Sequence, residues 1–188
     1  MNSSNYNLLY VILLNNYKTT YKRTSLATFI VKAYLPHMVN FENLFHIGII
    51  VPNIELGMQE LSSRFGVTWP RQPRTSETLV RTKAGTSPIT ISGVYSTGGP
   101  PWFEVFEAVP GTLWASQTSN IHHMGFFVEN LDDEIERLVA EGNELEMEAV
   151  DENGNRISGC YLNTDLNVRL EIVDASLREK MIERIKNS

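Results

Sequence analysis

The chain has a single cysteine among its 188 residues, Cys160. It can close no disulfide of its own and offers no cysteine cluster to a metal, so nothing in it marks an oxidising compartment. No apolar run approaches the roughly 20 residues that a bilayer-crossing helix needs, which argues against a membrane. Positive charge is also short, since 16 Lys and Arg against 22 Asp and Glu leave a net charge of −6. A surface of that sign repels phosphate, which argues against nucleic acid as the main partner. Acids are absent in turn from residues 1–41, where Lys18, Lys22, Arg23 and Lys32 stand alone, so that segment is +4 and the remainder −10. With 42% apolar residues the chain can bury one sizeable core or two small fused ones.

Residues 1–37 are rich in Asn, Tyr, Thr and Lys around one short apolar run, LLYVILL at 8–14. That run could serve as the core of a signal peptide, or the segment as an organellar transit peptide. Lys18 and Arg23 follow the run where a signal peptide carries its charge before it, and a transit peptide is richer in arginine. The third reading is an appended leader, with Met38 able to start the folded body. We take 1–42 as a leader outside the core and 43–188 as the domain. A cytoplasmic protein is the main reading, with organellar targeting by residues 1–37 as the alternative.

What the chain does contain is a repeat. HIGIIVPNIELGMQEL at 46–61 returns as HMGFFVENLDDEIERL at 123–138, and His46/His123, Gly48/Gly125, Val51/Val128, Asn53/Asn130 and Leu61/Leu138 are identical at an offset of 77. Five identities in register, with apolar exchanges between them, indicate a duplicated unit. Each copy closes on a strand that carries a carboxylate, WFEVFEAV at 102–109 with Glu104 and VRLEIVD at 168–174 with Glu171.

The periodicity gives each unit the order βαβββ. LFHIGIIV at 44–51 reads as a strand, and Asn53 caps a helix whose Ile54, Met58, Leu61 and Phe65 share one face. Strand candidates follow at 78–84, 86–96 and 102–109, separated by Gly and Pro turns. The second unit runs through a strand at 121–128, an Asn130-capped helix, and strands near 144–150, 156–163 and 168–173. Module 1 is thus about 43–109, the linker 110–120 and module 2 about 121–174. A final helix over 175–187 carries Leu177, Met181 and Ile185 on one stripe. The fold class is α+β, with two tandem βαβββ modules curling a mixed sheet around a central cleft and helices outside.

Strand alternation sets His46, Gly48 and Ile50 on the face opposite Ile47, Ile49 and Val51, and His123, Gly125 and Phe127 opposite Met124, Phe126 and Val128. If the apolar faces pack under the helices, both histidines turn away from them. The same rule groups Trp102, Glu104 and Phe106, and groups Arg169, Glu171 and Val173. Two carboxylates beside two imidazoles in a cleft are most simply satisfied by a divalent cation.

The stretches FHIGIIVPNIELG, FEVFEAVPGTLW and IHHMGFFVENLDDEIERL, with His opening each first strand and Glu in each last one, resemble the vicinal oxygen chelate superfamily over roughly 43–174. That group includes glyoxalase I, methylmalonyl-CoA epimerase, extradiol dioxygenases and the fosfomycin- and bleomycin-resistance proteins. The resemblance implies that His46, Glu104, His123 and Glu171 bind one divalent ion. Such a donor set suits zinc, nickel, cobalt, manganese or iron. It is similar to the isomerases and lyases of the group, whereas the ring-cleaving dioxygenases use two histidines and one glutamate. No counterpart of the glutathione-binding residues of glyoxalase I stands out. By the same resemblance the ion chelates adjacent substrate oxygens, and Glu171 or Glu104 moves a proton between neighbouring carbons. Glu171 is the favoured base, because Arg169 on its face could hold an anionic substrate. Tyr95, Trp102, Phe106 and Phe127 are the candidate aromatic lining.

Other residues carry plainer readings. His122 should point to the opposite face from His123 and be structural, Glu107 is out of phase with Glu104, and Cys160 sits inert in a strand. The acid-rich run 141–155 lacks the spacing of a calcium loop and reads as a solvated hairpin. Two functions follow: a metal-dependent isomerase, epimerase or lyase acting on a small carbonyl or carboxylate compound, or a non-catalytic drug- or metabolite-sequestering protein of the same fold. A small molecule is the partner in both, and a homodimer is left open.

Overall fold

The computed structural model describes residues 39–70, 72–116, 121–164 and 168–186. The expected leader over 1–37 and the linker residues 117–120 lie outside the described residues. The first half comprises β1 (Leu44–Val51), α1 (Ile54–Phe65), β2 (Arg74–Thr82), β3 (Gly85–Tyr95) and β4 (Trp102–Glu107). The second comprises β5 (Ile121–Val128), α2 (Leu131–Ala140), β6 (Glu144–Val150), β7 (Arg156–Asn163) and β8 (Arg169–Asp174), and α3 (Arg178–Lys186) follows a 3-10 turn at Ala175–Leu177. The order βαβββ, twice, is as expected.

The sheet does more than curl, because its strands close into a barrel in the order β1-β4-β3-β2-β6-β7-β8-β5. Within each half the first and last strands pair in parallel, His46 opposite Trp102 and Gly125 opposite Glu171. The halves are joined by two antiparallel seams, β1 with β5 and β2 with β6. This arrangement leaves no free sheet edge.

Both helices begin where the sequence provides caps. Asn53 accepts from the Leu56 N–H at 2.9 Å and Asn130 from the Asp133 N–H at 3.3 Å. α1 covers Ile49, Val51, Val94 and Val105 with Ile54, Met58 and Leu61, and α2 covers Val128, Cys160, Leu162 and Ile172 with Leu131, Ile135 and Leu138. Each such side chain contributes about 1.5–3 kcal/mol on burial, so these two outer layers hold the barrel wall in shape. Burial pushes the Cys160 thiol up, in keeping with an inert role.

Several boundaries shift. Val39 already packs beneath α2 and its N–H donates to the fully buried Glu134 at 2.9 Å, so the fold is reached earlier than residue 43. Trp114, assigned to the linker, is 2% exposed and packs with Ile50, Val80, Met147 and Tyr161. The acid-rich run is not simply solvated. Glu144, Glu146 and Glu148 on β6 pair with Lys83 at 2.6 Å, Arg169 at 2.5 Å and Arg81 at 2.8 Å. The expected helix over 175–187 opens as the 3-10 turn because Asp174 caps the Ser176 N–H at 2.8 Å. No described helix is long and apolar enough to cross a membrane.

Candidate metal centre

The barrel interior is built by the H-x-G sequence that opens each half. Antiparallel pairing sets His46 opposite Gly125 and Gly48 opposite His123, so each imidazole lies over the other strand's glycine. A Cβ at Gly48 would overlap the His123 ring, and one at Gly125 would overlap the His46 ring. These two glycines are space for histidine, which explains why the duplicated phrase keeps both residues. Gly48→Ala is expected to push His123 out of position and weaken zinc binding by at least tenfold. Ala at an exposed strand position such as Thr75 should change nothing, and zinc titration of the two variants checks this.

The parallel pairs then bring the glutamates alongside. His46 Nε2 lies 2.7 Å from His123 Nε2, 3.1 Å from Glu104 Oε2 and 2.9 Å from Glu171 Oε2, while His123 Nε2 lies 3.4 and 3.1 Å from the same two oxygens. All four donor atoms fall within 4.8 Å of one another. Both histidines are essentially fully buried and Glu104 is 8% exposed. The carboxylate oxygens aimed at this point, Glu104 Oε2 and Glu171 Oε2, are buried and, among the described residues, find no hydrogen-bond partner beyond the two imidazoles they share. Two ring nitrogens at hydrogen-bond distance share at most one proton, which leaves two carboxylates underpaired. A single divalent ion satisfies all four atoms, and the His2Glu2 set suits a borderline transition metal better than calcium or magnesium. The donors therefore fit the ion that the sequence implies.

The electrostatics of the ion-free cluster follow from the same contacts. Burial would lower His123, but hydrogen bonds to and charges on Glu104 and Glu171 outweigh it and lift the imidazole to about 9. Burial would raise Glu171, yet His123 and His46 hold it well below the usual carboxylate range. Tyr95 and Tyr161 are both raised well above their ordinary value, by burial first and then by the two glutamates, so their phenols stay protonated.

Beside the cluster lies a cavity of about 290 Å³, lined by Tyr95, Glu104, Phe106, Tyr161 and Glu171 among others. Tyr95 and Phe106 line it as expected. Trp102 and Phe127 do not. They pack with Phe45, Val173 and Ile185 beneath α3, and Phe127 stacks on Phe45 at a centroid distance of 3.9 Å. Arg169 is also absent from the lining, because Glu146 holds its guanidinium at 2.5 and 3.2 Å. The charge meant for an anionic substrate is thus already neutralised. Glu107 stays outside the cluster.

Two site residues escaped the sequence reading. Tyr161 stacks on His123 with centroids 4.8 Å apart, in the position on β7 that Tyr95 holds on β3, where each tyrosine lies across from a cluster glutamate. The signal was present, since SGVY at 92–95 recurs as SGCY at 158–161. His122 is the other, and it does not point away as alternation requires. The β1–β5 register shifts on either side of the H-x-G segments, at Phe45 and at His122. Such bulges turn both residues inward beside the ligand histidines.

A doubled βαβββ barrel with a paired His/Glu cluster inside defines a vicinal oxygen chelate protein. A family model described as Glyoxalase/Bleomycin resistance protein/Dioxygenase superfamily matches residues 45–161, and the chain belongs to that superfamily. The matched span holds His46, Glu104 and His123 and ends before Glu171. Solved structures it is similar to include a variant of Streptomyces coelicolor methylmalonyl-CoA epimerase in complex with 2-nitronate-propionyl-CoA, 12% identical with a TM-score of 0.48 over 70% of this chain and 96% of that one. Methylmalonyl-CoA epimerase from Mycobacterium tuberculosis is 14% identical with a TM-score of 0.47, covering 73% of this chain and 93% of that one. BphC, a halotolerant catechol dioxygenase, is 12% identical with a TM-score of 0.41, covering 70% of this chain and 39% of that one. No curated protein matches the chain by sequence.

Proposed function

We propose that the chain is a metal-dependent isomerase, epimerase or lyase that acts on a small carbonyl or carboxylate compound, with His46, Glu104, His123 and Glu171 holding the ion. The observation that carries this reading is the pair of buried carboxylate oxygens, Glu104 Oε2 and Glu171 Oε2, aimed at two imidazoles without a donor of their own. A protein that only sequesters an apolar ligand gains nothing from such a pair, and burying it without a counter-ion is costly. The cavity of about 290 Å³ is at the small end for ligand sites, which favours a small substrate.

A divalent ion held there supplies Lewis-acid polarisation of adjacent substrate oxygens. The chain's residues do the rest. Glu171 has a more exposed side chain than Glu104, 19% against 10%, and both reach the cavity. Glu171 is therefore the better placed to take a proton from a substrate carbon and return it to the same or the neighbouring one. Tyr95 and Tyr161 keep their protons and stand at the cavity wall as hydrogen-bond donors, while Phe106 excludes water from one side.

The deciding experiment is metal analysis of protein purified without added metal, followed by solvent deuterium uptake into hemithioacetals, 2-substituted acyl thioesters and α-keto acids. Uptake that depends on zinc, nickel, cobalt or manganese supports the enzyme. If every compound is inert with every metal, while a hydrophobic ligand binds tightly to the ion-free chain, the sequestering function replaces it.

The working unit in this proposal is the duplicated body. A chain starting at Met38 is expected to melt within a few degrees of the full-length protein and to bind zinc equally, as followed by thermal unfolding and titration. A drop of ten degrees or more would make residues 1–37 part of the core.

A further inference from the structure

We infer that His122 is a positioning residue, which fixes the tautomer and orientation of His123 so that its Nε2 presents a lone pair to the ion. The inference rests on the metal reading above. Its geometry is a short chain of hydrogen bonds that ends on the cluster. His122 Nε2 lies 2.9 Å from the carbonyl oxygen of Leu113, and a carbonyl only accepts, so Nε2 must carry the proton and donate it. His122 Nδ1 lies 2.8 Å from His123 Nδ1, and one proton belongs between them.

If His122 kept both its protons it would be a buried cation, 6% exposed, whose ring nitrogens meet the Leu113 carbonyl and His123 and, among the described residues, no carboxylate. His123 at 2.8 Å and the Arg169 guanidinium, which reaches the His122 carbonyl oxygen at 3.5 Å, are both cationic groups beside it. Burial with no carboxylate paired to either ring nitrogen excludes that state. Neutral His122 therefore accepts at Nδ1 and His123 donates from Nδ1. With an ion in place of the Nε2 proton, His123 would be neutral, its remaining proton would be the one on Nδ1, and its bare Nε2 would face the other three donors of the cluster. A ligating histidine whose second nitrogen is tied down in this way is held in one tautomer and one ring orientation.

The first half lacks this device. The residue equivalent to His122 at the repeat offset of 77 is Phe45, which occupies the matching bulge and meets His46 edge-on at 4.3 Å. His46 Nδ1 is correspondingly buried with no hydrogen-bond partner. The two halves thus hold their imidazoles differently, His123 by a hydrogen-bond relay to Leu113 and His46 by ring packing. The surroundings of His122 are suited to this task. Its ring sits beside Trp114 at 6.4 Å and Tyr161 at 5.4 Å, two aromatics that fix its plane without competing for its nitrogens.

The direct test is His122→Phe, which gives the second half the residue that the first half already has. Zinc affinity, measured by competition with a chromophoric chelator, is expected to fall about 10–100-fold, the range for loss of a ligand's supporting contact. His122→Gln, which restores an acceptor for His123 Nδ1–H, should stay within a few-fold of wild type. Equal affinity in wild type and His122→Phe overturns the inference, and so does an equal loss in both variants, which would reduce His122 to packing. Should either variant fail to fold, nitrogen-15 histidine spectra of the zinc-loaded wild type decide. They are expected to give His123 a protonated Nδ1 and His122 a protonated Nε2 with a bare Nδ1, and the reverse assignment overturns the inference. A wild-type chain that takes up no zinc sinks the metal reading itself and this inference with it, whereas zinc bound regardless of residue 122 sinks the inference alone.

Discussion

His123→Ala is expected to lose metal binding and any turnover together. The variant removes one of four donors from a cluster whose remaining atoms, His46 Nε2, Glu104 Oε2 and Glu171 Oε2, depend on the missing imidazole for their spacing. Loss of a direct ligand should exceed the 10–100-fold typical of a supporting contact, so the Kd for zinc is expected to rise by about 10³-fold or more. The ion-free protein should respond as well. His123 is lifted to about 9 in the fold, against about 6.5 in an unfolded chain. A raised folded-state value means stability that is fully present below pH 6.5 and is lost as pH climbs through about 9. Its size is on the order of 3 kcal/mol, to be read as an order of magnitude because the group is tightly tied to Glu171. Chemical denaturation of metal-free wild type between pH 6 and 10 should trace that loss, and His123→Ala should be less stable at pH 6 and flat across the range. A variant that still binds zinc like wild type would remove His123 from the site.

The duplication made most of this legible without coordinates. Once His46 and His123 stood at equivalent places in a repeat, strand phase put them on the inner face, and the matched Glu104 and Glu171 followed. The cluster forms with all four donors within 4.8 Å. What failed depended on contacts that no period encodes. His122 and Phe45 turned inward because each lies at a bulge, and a single extra residue in a strand reverses every inference drawn from alternation across it. Arg169 shared a face with Glu171, but its partner Glu146 comes from a strand two places away in the barrel, beside another register shift. Tyr161 was hidden by arithmetic. The repeat offset is 77 at the first strands and only 66 between Tyr95 and Tyr161, because the connection 66–73 and β3 are longer than 141–143 and β7. A search at one fixed offset finds the histidines and misses the tyrosines. The aromatic lining divided for a related reason. Trp102 and Phe127 do point inward, but α3 lays Ile185 and Met181 against that end of the barrel and makes it core.

Glu171→Gln is expected to separate binding from chemistry. The amide oxygen of glutamine still coordinates an ion, whereas the amide cannot take a proton at neutral pH, so zinc affinity should fall far less than in His123→Ala while proton transfer stops. General acid–base groups contribute about 10²–10⁴-fold, so metal-dependent deuterium uptake at the substrate carbon should fall by that factor, with KM changed little. Burial would raise Glu171, but His123 and His46 outweigh it and hold the carboxyl well below the usual carboxylate range. It is therefore a weak base while it stays within the cluster, and proton abstraction requires its Oε2 to move off toward the cavity it already lines. Glu104→Gln supplies the comparison, because its side chain is the less exposed of the two. If Glu171 is the base, Glu104→Gln should retain most of the exchange at saturating metal. Loss of exchange in Glu104→Gln but not in Glu171→Gln would reverse the assignment, and full activity in both would place the proton transfer on another group at the cavity wall.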